Sequence, residues 1–268
     1  MEQTQQSQMQ MTTACRIKHG TENQYKCRVC GDTGWVLMRQ NIEDYGDNIL
    51  FARACDKCKI QRRLADTTGI PSEYCDADLS KFKWDLYGVD MTQMRRICED
   101  FVQHYQDRWV KANKGLYLWS KVPGSGKTFL SSCLAQSVAI KYDMQMRFVT
   151  AADYLAAVGA SYKYDVIDSS AVYRSCSLLV LDDLGSQKQG DWQNQELYRL
   201  INTRLLNGLL TIFTSNCPID QLNVDERIKS RILKQSIVLQ MPEKSIRNQQ
   251  AQEQQSKFLA DIIGNRRA

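Results

Sequence analysis

A short glycine-rich segment near the middle of the chain has the composition of a phosphate-binding loop. It runs Pro123-Gly124-Ser125-Gly126-Lys127-Thr128 after an apolar stretch, and the pattern from Phe129 to Lys141 predicts a helix behind it. Glycines allow a tight turn whose N–H groups face a triphosphate, a lysine reaches the β and γ phosphates, and a hydroxyl offers a magnesium ligand. We therefore predict a Walker A loop that binds ATP and Mg²⁺ through Gly124, Ser125, Gly126, Lys127 and Thr128. The usual first glycine is Lys121, which indicates a differently turned start of the loop with the phosphate cradle intact.

Two adjacent acids follow the apolar run Leu178–Leu181, which predicts a buried strand. Here Asp182 would hold the magnesium shell, and Asp183 would polarise the attacking water in phosphoryl transfer. The alternative is that both acids merely end a strand. About one βα unit, Met146 to Tyr173, separates the glycine-rich loop from the acids, so we expect a strand inserted between their two strands. That arrangement favours ATPases over small-molecule kinases.

Polar residues further along the chain extend the predicted site. Asn216 follows another apolar run and could touch the γ-phosphate or orient the water, although it could equally be a turn former. Arg227 and Arg231 lie four apart on one helix face, which is usually a solvated surface. In an oligomeric ATPase, an arginine at this place reaches into the neighbouring subunit's site as an arginine finger. Arg247, in the final helix, could contact the nucleotide of its own subunit.

Four of the ten cysteines form two Cys-x-x-Cys pairs, Cys27 with Cys30 and Cys55 with Cys58. Between the pairs, Trp35–Arg39 and Ile49–Arg53 predict a hairpin that would bring them together. Four thiolates suit a tetrahedral structural zinc ion, so we predict a small module like a zinc ribbon. The alternatives are unpaired thiols or an iron–sulfur cluster. A closed site is not catalytic, and we expect the module to bind protein or DNA.

The hydrophobic pattern predicts the elements that must position these residues. Five short apolar runs alternate with helical patterns: Leu116–Trp119, Met146–Thr150, Leu178–Leu181, Leu209–Thr214 and Ile237–Gln240. Strands separated by helices of this length form parallel βαβ units with right-handed crossovers. We therefore predict a three-layer α/β fold with its ligand site at the carboxyl ends of the strands, where the motifs stand.

The chain divides into four predicted segments. Residues 1–24 are a glutamine-rich lead, disordered or partly helical, and residues 25–67 form the zinc-binding module. Residues 68–114 are a linker, indicated by Thr68-Gly69-Ile70-Pro71, and a helix that enters the core, predicted from the helical spacing of apolar residues between Arg95 and Val110. Residues 115–268 are the ATPase domain with a short C-terminal helix.

Composition narrows the class of protein. The 268 residues are 43% hydrophobic and 24% charged, which excludes a wholly disordered chain. No apolar run approaches the ~20 residues of a membrane helix, and the N-terminus lacks the apolar core of a signal peptide. We therefore expect a cytoplasmic protein with no membrane partner. The net charge of +5 is too small to coat nucleic acid by charge alone, so any nucleic-acid site must be local.

The ordered set of motifs resembles the AAA+ ATPases, and more narrowly the DnaC/DnaI helicase loaders and the related IstB transposition helpers. The narrower resemblance spans about residues 68–250 and is carried by Leu181-Asp182-Asp183-Leu184-Gly185 and Glu226-Arg227-Ile228-Lys229-Ser230-Arg231. It implies a P-loop domain with a truncated helical lid. It also implies the nucleotide roles given above for Lys127, Thr128, Asp182, Asp183 and Asn216, with Arg231 favoured over Arg227 as the finger and Arg247 as the second sensor.

The resemblance implies partners as well. Loaders of this family hold single-stranded DNA inside a spiral of subunits, which here would involve Tyr162, Lys163, Lys188 and Trp192, because aromatics beside lysines can stack bases and neutralise phosphate. Core packing or a solvated loop is the alternative for these residues. We therefore expect an ATP-dependent replicative helicase loader, a slow ATPase alone, that oligomerises with ATP and docks on the helicase through its zinc module. The other hypotheses are an IstB-like transposition helper acting on duplex DNA and an ATP-switched adaptor with negligible turnover.

Overall fold

The computed structural model describes residues 29–30, 35–41, 48–55, 68–164, 170–186 and 190–264. The chain forms two compact units, Met1–Asp66 and Thr67–Ala268. In the first unit, β1 (Trp35–Asn41) and β2 (Asn48–Ala54) are antiparallel, with Trp35 opposite Ala54. The predicted hairpin is confirmed, and both strands are longer than expected.

The second unit is built on one parallel sheet of five strands. These are β3 (Gly115–Trp119), β4 (Met146–Thr150), β5 (Leu178–Asp182), β6 (Leu210–Ser215) and β7 (Ser236–Gln240). Their order across the sheet is β4-β5-β6-β3-β7. The five predicted strands are confirmed to within a residue at each end, and β6 is the expected insertion between the strand before the glycine-rich loop and the strand before the acids.

The described part of this unit contains seven α-helices. Their bounds are α1 (Thr92–Gln103), α2 (Lys127–Tyr142), α3 (Ala151–Tyr164), α4 (Ala171–Ser175), α5 (Asp191–Leu206), α6 (Glu226–Gln235) and α7 (Ile246–Gly264). Alternate strand residues such as Tyr117, Leu179 and Phe213 pack with α3, α5 and α6 in one buried cluster. The residues between them, including Leu116, Val180 and Ile212, are fully buried as well, and α2 contacts four of the strands. The sheet therefore lies between helical layers, as the strand pattern predicts.

The segment preceding α1, which the sequence predicts as part of a linker, is packed against the sheet. Thr68 and Ile70 are buried, and the Phe148 backbone N–H donates to the Thr68 carbonyl at 2.6 Å. Gly69 has a φ of +76°, and a Cβ there would lie 2.5 Å from the Phe148 carbonyl oxygen, so only glycine fits. At these residues the chain therefore packs against the edge strand β4.

The helix predicted from Arg95 to Val110 is interrupted. The α-helical part ends at Gln103, and Tyr105–Val110 continues as a π-helical turn. Asp100 holds this turn, because its carboxylate accepts from Trp109 Nε1 at 2.9 Å and from Arg108 Nη1 at 2.5 Å. The turn buries Tyr105 and Trp109 beside Phe101, which spaces the apolar side chains in a way that simple helical periodicity does not show.

Candidate nucleotide-binding site

The glycine-rich loop joins β3 to the first residue of α2, as the motif predicts. Gly124 and Gly126 have φ values of +76° and +91°, which other residues rarely adopt. A Cβ on Gly126 would lie 2.6 Å from the Tyr87 hydroxyl, and one on Gly124 would lie 3.0 Å from Arg247 Cβ. Both glycines are thus required by the backbone and by the close packing around it. The loop leads into the N-terminus of a 16-residue helix, where backbone N–H groups favour phosphate.

Lys127 is almost fully buried at the base of the loop, with 7% of its surface exposed. Its Nζ donates to the carbonyls of Ser120 and Val122, both at 3.3 Å, and to Ser125 Oγ at 3.2 Å. Burial lowers the pKa of this ammonium, while the nearby acids Asp183 and Asp182 raise it. Oxygen atoms in and beside the loop therefore hold the Lys127 ammonium in place. Phosphate oxygens can replace them as hydrogen-bond acceptors.

Asp182 and Thr128, the two predicted magnesium ligands, are in hydrogen-bond contact. Thr128 Oγ1 donates to Asp182 Oδ2 at 3.3 Å, and Thr214 Oγ1 donates to Asp182 Oδ1 at 2.6 Å. Asp182 is buried, and this burial raises the pKa of its carboxyl. A hydroxyl and a carboxylate at the end of a parallel strand are a donor set that Mg²⁺ prefers, so these two residues fit that ion.

Asp183 leaves the strand in a left-handed backbone conformation, with a φ of +54°. Asn216 Nδ2 donates to Asp183 Oδ1 at 3.0 Å, which brings together the predicted water-polarising acid and the predicted sensor. Thr214 fixes the unusual turn, because its Oγ1 accepts from the Asp183 N–H at 2.9 Å and its carbonyl accepts from the Leu184 N–H at 2.8 Å. Such a conformation costs energy and persists only where neighbouring groups enforce it.

Sequence reasoning missed Thr214 and a set of aromatic residues that enclose the site. A cavity of about 700 Å³ is lined by the loop, by Asp182, Asp183 and Asn216, and by residues of the segment Glu73–Tyr87. The Phe82 ring stacks against the rings of Tyr87 and Phe129, and the centroid distance is 6.0 Å in each pair. Tyr87 Oη donates to the Ser125 carbonyl at 2.7 Å. The only signal in the sequence was the concentration of aromatics and lysines in Lys81-Phe82-Lys83-Trp84.

The first residues of the last helix, α7, contact the glycine-rich loop. The backbone N–H groups of Ile246 and Arg247 donate to the Gly124 carbonyl at 3.0 and 3.2 Å, and both residues line the cavity. Arg247 thus lies where its prediction as a nucleotide contact requires. Arg227 and Arg231 lie elsewhere, on α6, and neither is among the residues that line the cavity in the described part of the chain.

The predicted nucleic-acid residues are described only in part. Tyr162 on α3 is 63% exposed, and Trp192 at the start of α5 is 38% exposed. Tyr162 Oη lies 3.4 Å from Glu196 Oε1 and accepts from Arg199 Nη1 at 3.3 Å. Lys188 lies outside the described residues, and the Lys163 side chain does as well. The two aromatics therefore share one surface, where α3 and α5 meet.

The predicted zinc ligands are also described in part. Cys30 is half-buried and Cys55, directly after β2, is fully buried, whereas Cys27 and Cys58 lie outside the described residues. Within the described ranges, no group of three or more His, Cys, Asp and Glu side chains is placed to hold a metal ion. The same part of the chain contains no helix long and apolar enough to cross a membrane.

The parallel sheet, the loop before α2 and the acids at the end of β5 define a P-loop ATP-binding domain of the AAA+ class. The family model described as IstB-like ATP binding protein matches residues 74–254, more than half of the chain. The chain belongs to this family.

Comparison with individual proteins points the same way. The chain is 26% identical over 172 residues to the replicative helicase loader DnaI of Bacillus subtilis strain 168, an alignment that covers 63% of this chain and 53% of that protein. It therefore spans about half the length of that relative. A crystal structure of DnaI has a TM-score of 0.56 at 24% identity, covering 65% of this chain and 95% of that one. A crystal structure of the DnaC helicase loader has a TM-score of 0.55 at 22% identity, covering 64% and 99%. The two structures share the fold of the larger unit.

Proposed function

We propose that this chain is an ATP-hydrolysing helicase loader that acts on single-stranded DNA and on a replicative helicase. The observation that carries the proposal is the joined set of Lys127, Thr128, Asp182, Asp183 and Asn216 around one cavity, on a fold shared with DnaI and DnaC. Loading comes from the likeness to those proteins, and hydrolysis comes from the chemistry of the site.

The residues of the site divide the work of phosphoryl transfer. The N–H groups of the loop and the Lys127 ammonium bind the phosphates of ATP, and the aromatic wall of Phe82 and Tyr87 offers an apolar place for the base. Thr128 and Asp182 would hold Mg²⁺, which neutralises charge on the phosphates when it is bound. Asp183 accepts a hydrogen bond from the attacking water, and Asn216 orients Asp183 through the 3.0 Å bond. Arg247 contacts the phosphates of the ATP that is bound to its own chain.

The partners follow from the two remaining surfaces. The hairpin module, with zinc held by Cys27, Cys30, Cys55 and Cys58, would dock on the helicase. Tyr162 and Trp192 would stack on bases, with Lys163 and Lys188 against phosphates. Assembly of several copies with ATP would then bring Arg231 of each copy to the site of the next.

A transposition helper is the second candidate, and the family match to IstB-like proteins favours it. The two functions differ in the nucleic acid they need. Stacking aromatics require unpaired bases, whose faces are hidden in a duplex, whereas a duplex-remodelling helper reads backbone spacing.

Fluorescence anisotropy with labelled oligothymidine and a duplex of equal length tests this choice. At one fixed salt concentration and with ATP, we expect tighter binding to the single strand. Changing Tyr162 or Trp192 to alanine should weaken that binding by about 5- to 150-fold, because one stacked base contributes ~1–3 kcal/mol. Leu206→Ala, at an exposed apolar position on the same helix as Trp192, is the control and should bind normally. Tighter binding to duplex, or aromatic variants with unchanged affinity, would favour the transposition helper.

A further inference from the structure

The guanidinium of Arg231 is held on α5 by two polar side chains. Its Nε donates to Asn202 Oδ1 at 2.7 Å, and its Nη2 donates to the Tyr198 hydroxyl at 2.7 Å. A third bond runs from Nη1 to the Arg227 carbonyl, one helical turn earlier on α6, at 3.0 Å. The guanidinium carbon also lies 4.3 Å from the centroid of the Tyr198 ring, within the range of a cation–π interaction.

The supports of this guanidinium are fixed by the core. Tyr198 is half-buried and packs against the buried cluster formed by α3, α5, α6 and the sheet. Asn202 lies one turn further along α5 and is half-buried too. An exposed arginine has many rotamers, but the three bonds and the ring contact leave Arg231 one position relative to the sheet.

The neighbouring Arg227 is arranged differently. Its guanidinium carbon lies 5.1 Å from the centroid of the same ring, but its Nε and Nη2 donate to the Asp225 carboxylate, with Nη2 at 2.8 Å from Oδ2. Hydrogen bonding from Arg227 lowers the pKa of Asp225 to about 2, so this pair is ionised at neutral pH. Asp225 thus forms an ion pair with Arg227, whereas Arg231 forms no ion pair within 4 Å among the described residues, although its charge also lowers the pKa of Asp225.

The three bonds leave part of the Arg231 fork uncommitted. They engage one N–H on each guanidinium nitrogen, so one N–H on Nη1 and one on Nη2 have no partner among the described residues. Two N–H groups on adjacent nitrogens match the spacing of two phosphate oxygens. An arginine held in this way can meet a phosphate without a prior search for its rotamer.

We propose that Tyr198 and Asn202 are positioning residues that hold Arg231 for the triphosphate bound to the next copy of this chain. This rests on the proposed function as an oligomeric ATPase. Either residue would act through Arg231 on the ATP of the neighbouring copy. Tyr198 and Asn202 should therefore matter for hydrolysis only in the copy that supplies the arginine, and not in the copy whose ATP is hydrolysed.

This direction can be tested in mixed assemblies of full-length variants. Arg231→Ala copies keep a complete nucleotide site but lack the arginine, and Asp183→Asn copies bind ATP without turning it over yet keep the arginine. Each variant alone should be inactive with saturating oligothymidine and ATP, and an equimolar mixture should regain ATPase activity. Tyr198→Leu or Asn202→Ala is then added to one partner at a time, with exposed Gln195→Ala on the same helix as the matched control.

In the Asp183→Asn donor, Tyr198→Leu should lower the regained kcat by about 10- to 100-fold without changing the KM for ATP, because a displacement of about 1 Å has effects of this size. Tyr198→Phe keeps the ring and should cost less. In the Arg231→Ala partner, the same changes should leave kcat within about twofold of the unmodified mixture. A structural role in folding would lower activity in either partner, and equal losses would overturn the proposal. A mixture that regains no activity would overturn the arginine finger itself, which is a failure of the proposed function and with it of the positioning role.

Discussion

At the scale of single residues, the Thr214 hydroxyl links both acids of the site. It donates to Asp182 and accepts from the Asp183 N–H, so it holds the carboxylate predicted to bind magnesium and the strained turn that aims the other acid. Its effect on Asp182 opposes that of burial, because the hydrogen bond lowers the pKa that burial raises.

Thr214→Val removes this hydroxyl and keeps the shape of the side chain. We expect ATP binding to persist and kcat to fall about 10- to 100-fold, since Asp183 loses its anchor. The free energy of unfolding should drop by about 1–3 kcal/mol, because a backbone N–H is left without a partner. The pKa of Asp182 should rise, so the carboxylate protonates at higher pH and the acidic limb of Mg²⁺-dependent activity moves upward in pH. Steady-state kinetics across pH and urea unfolding measure these effects.

Thr214→Ser keeps a hydroxyl and serves as the control, with kcat and pH profile close to those of the parent chain. A valine variant with unchanged kcat and an unchanged acidic limb would contradict the role assigned to Thr214.

Most residues of the site that the sequence predicts have local spacing, whereas Asn216 and Arg247 are predicted from their places after a strand and in the last helix. Lys127 and Thr128 follow the glycines directly, and Asp182 and Asp183 end one apolar run, so chain order alone places them at strand ends. Thr214 lies 31 residues beyond Asp183, and its contact exists only because β6 is the neighbour of β5. The insertion of a strand between β3 and β5 was predictable, but this contact was not, because Thr214 stands at the end of an apolar run and looks like an ordinary strand residue.

At the scale of elements, the aromatic wall of the cavity shows the same limit. Phe82 and Tyr87 lie in short 3₁₀ turns and loops, where neither a helical nor a strand period exists to predict them. The strands and the main helices were predictable because burial imposes a period on their side chains. The segment Thr68–Pro71 contains a glycine and a proline, which are typical of linkers, and this local pattern does not show that the chain here packs against a sheet edge.

The zinc site proposed for the hairpin module gives a prediction at the scale of an element. Cys55→Ser should abolish zinc binding and unfold residues 25–67, because metal binding and folding are coupled in so small a unit. ATP binding should persist, since the cavity is lined by the second compact unit alone. Elemental analysis should find one zinc ion per parent chain and none in the variant, with nucleotide affinity within about twofold.

Cys75→Ser, in the second unit, is the matched control and should retain the zinc ion. Parent protein purified without chelator that contains no zinc would contradict the metal site. Loss of zinc and of ATP binding together would contradict the independence of the two units.

At the scale of the whole molecule, α5 joins the surfaces on which the proposed function depends. Glu196 and Arg199 on this helix contact Tyr162, and Tyr198 and Asn202 contact Arg231. The proposed single-strand surface and the proposed finger thus share one helix. The proposed loader function requires both surfaces, together with the nucleotide site and the hairpin module that we propose docks on the helicase.

The most direct test of the central claim is the loading of a hexameric replicative helicase onto a closed single-stranded DNA circle, which a ring can enter only if it is opened. Candidate helicases are incubated with the circle, ATP and this protein, and retained helicase is measured after gel filtration in high salt. The account predicts retention that requires the protein and ATP and is lost with Lys127→Ala, which weakens binding of the phosphates. The result is decisive for candidate helicases that bind the protein in a pull-down. If for each of these the amount of retained helicase is the same with and without the protein, or the same with the parent chain and with Lys127→Ala, the proposed loading function is contradicted.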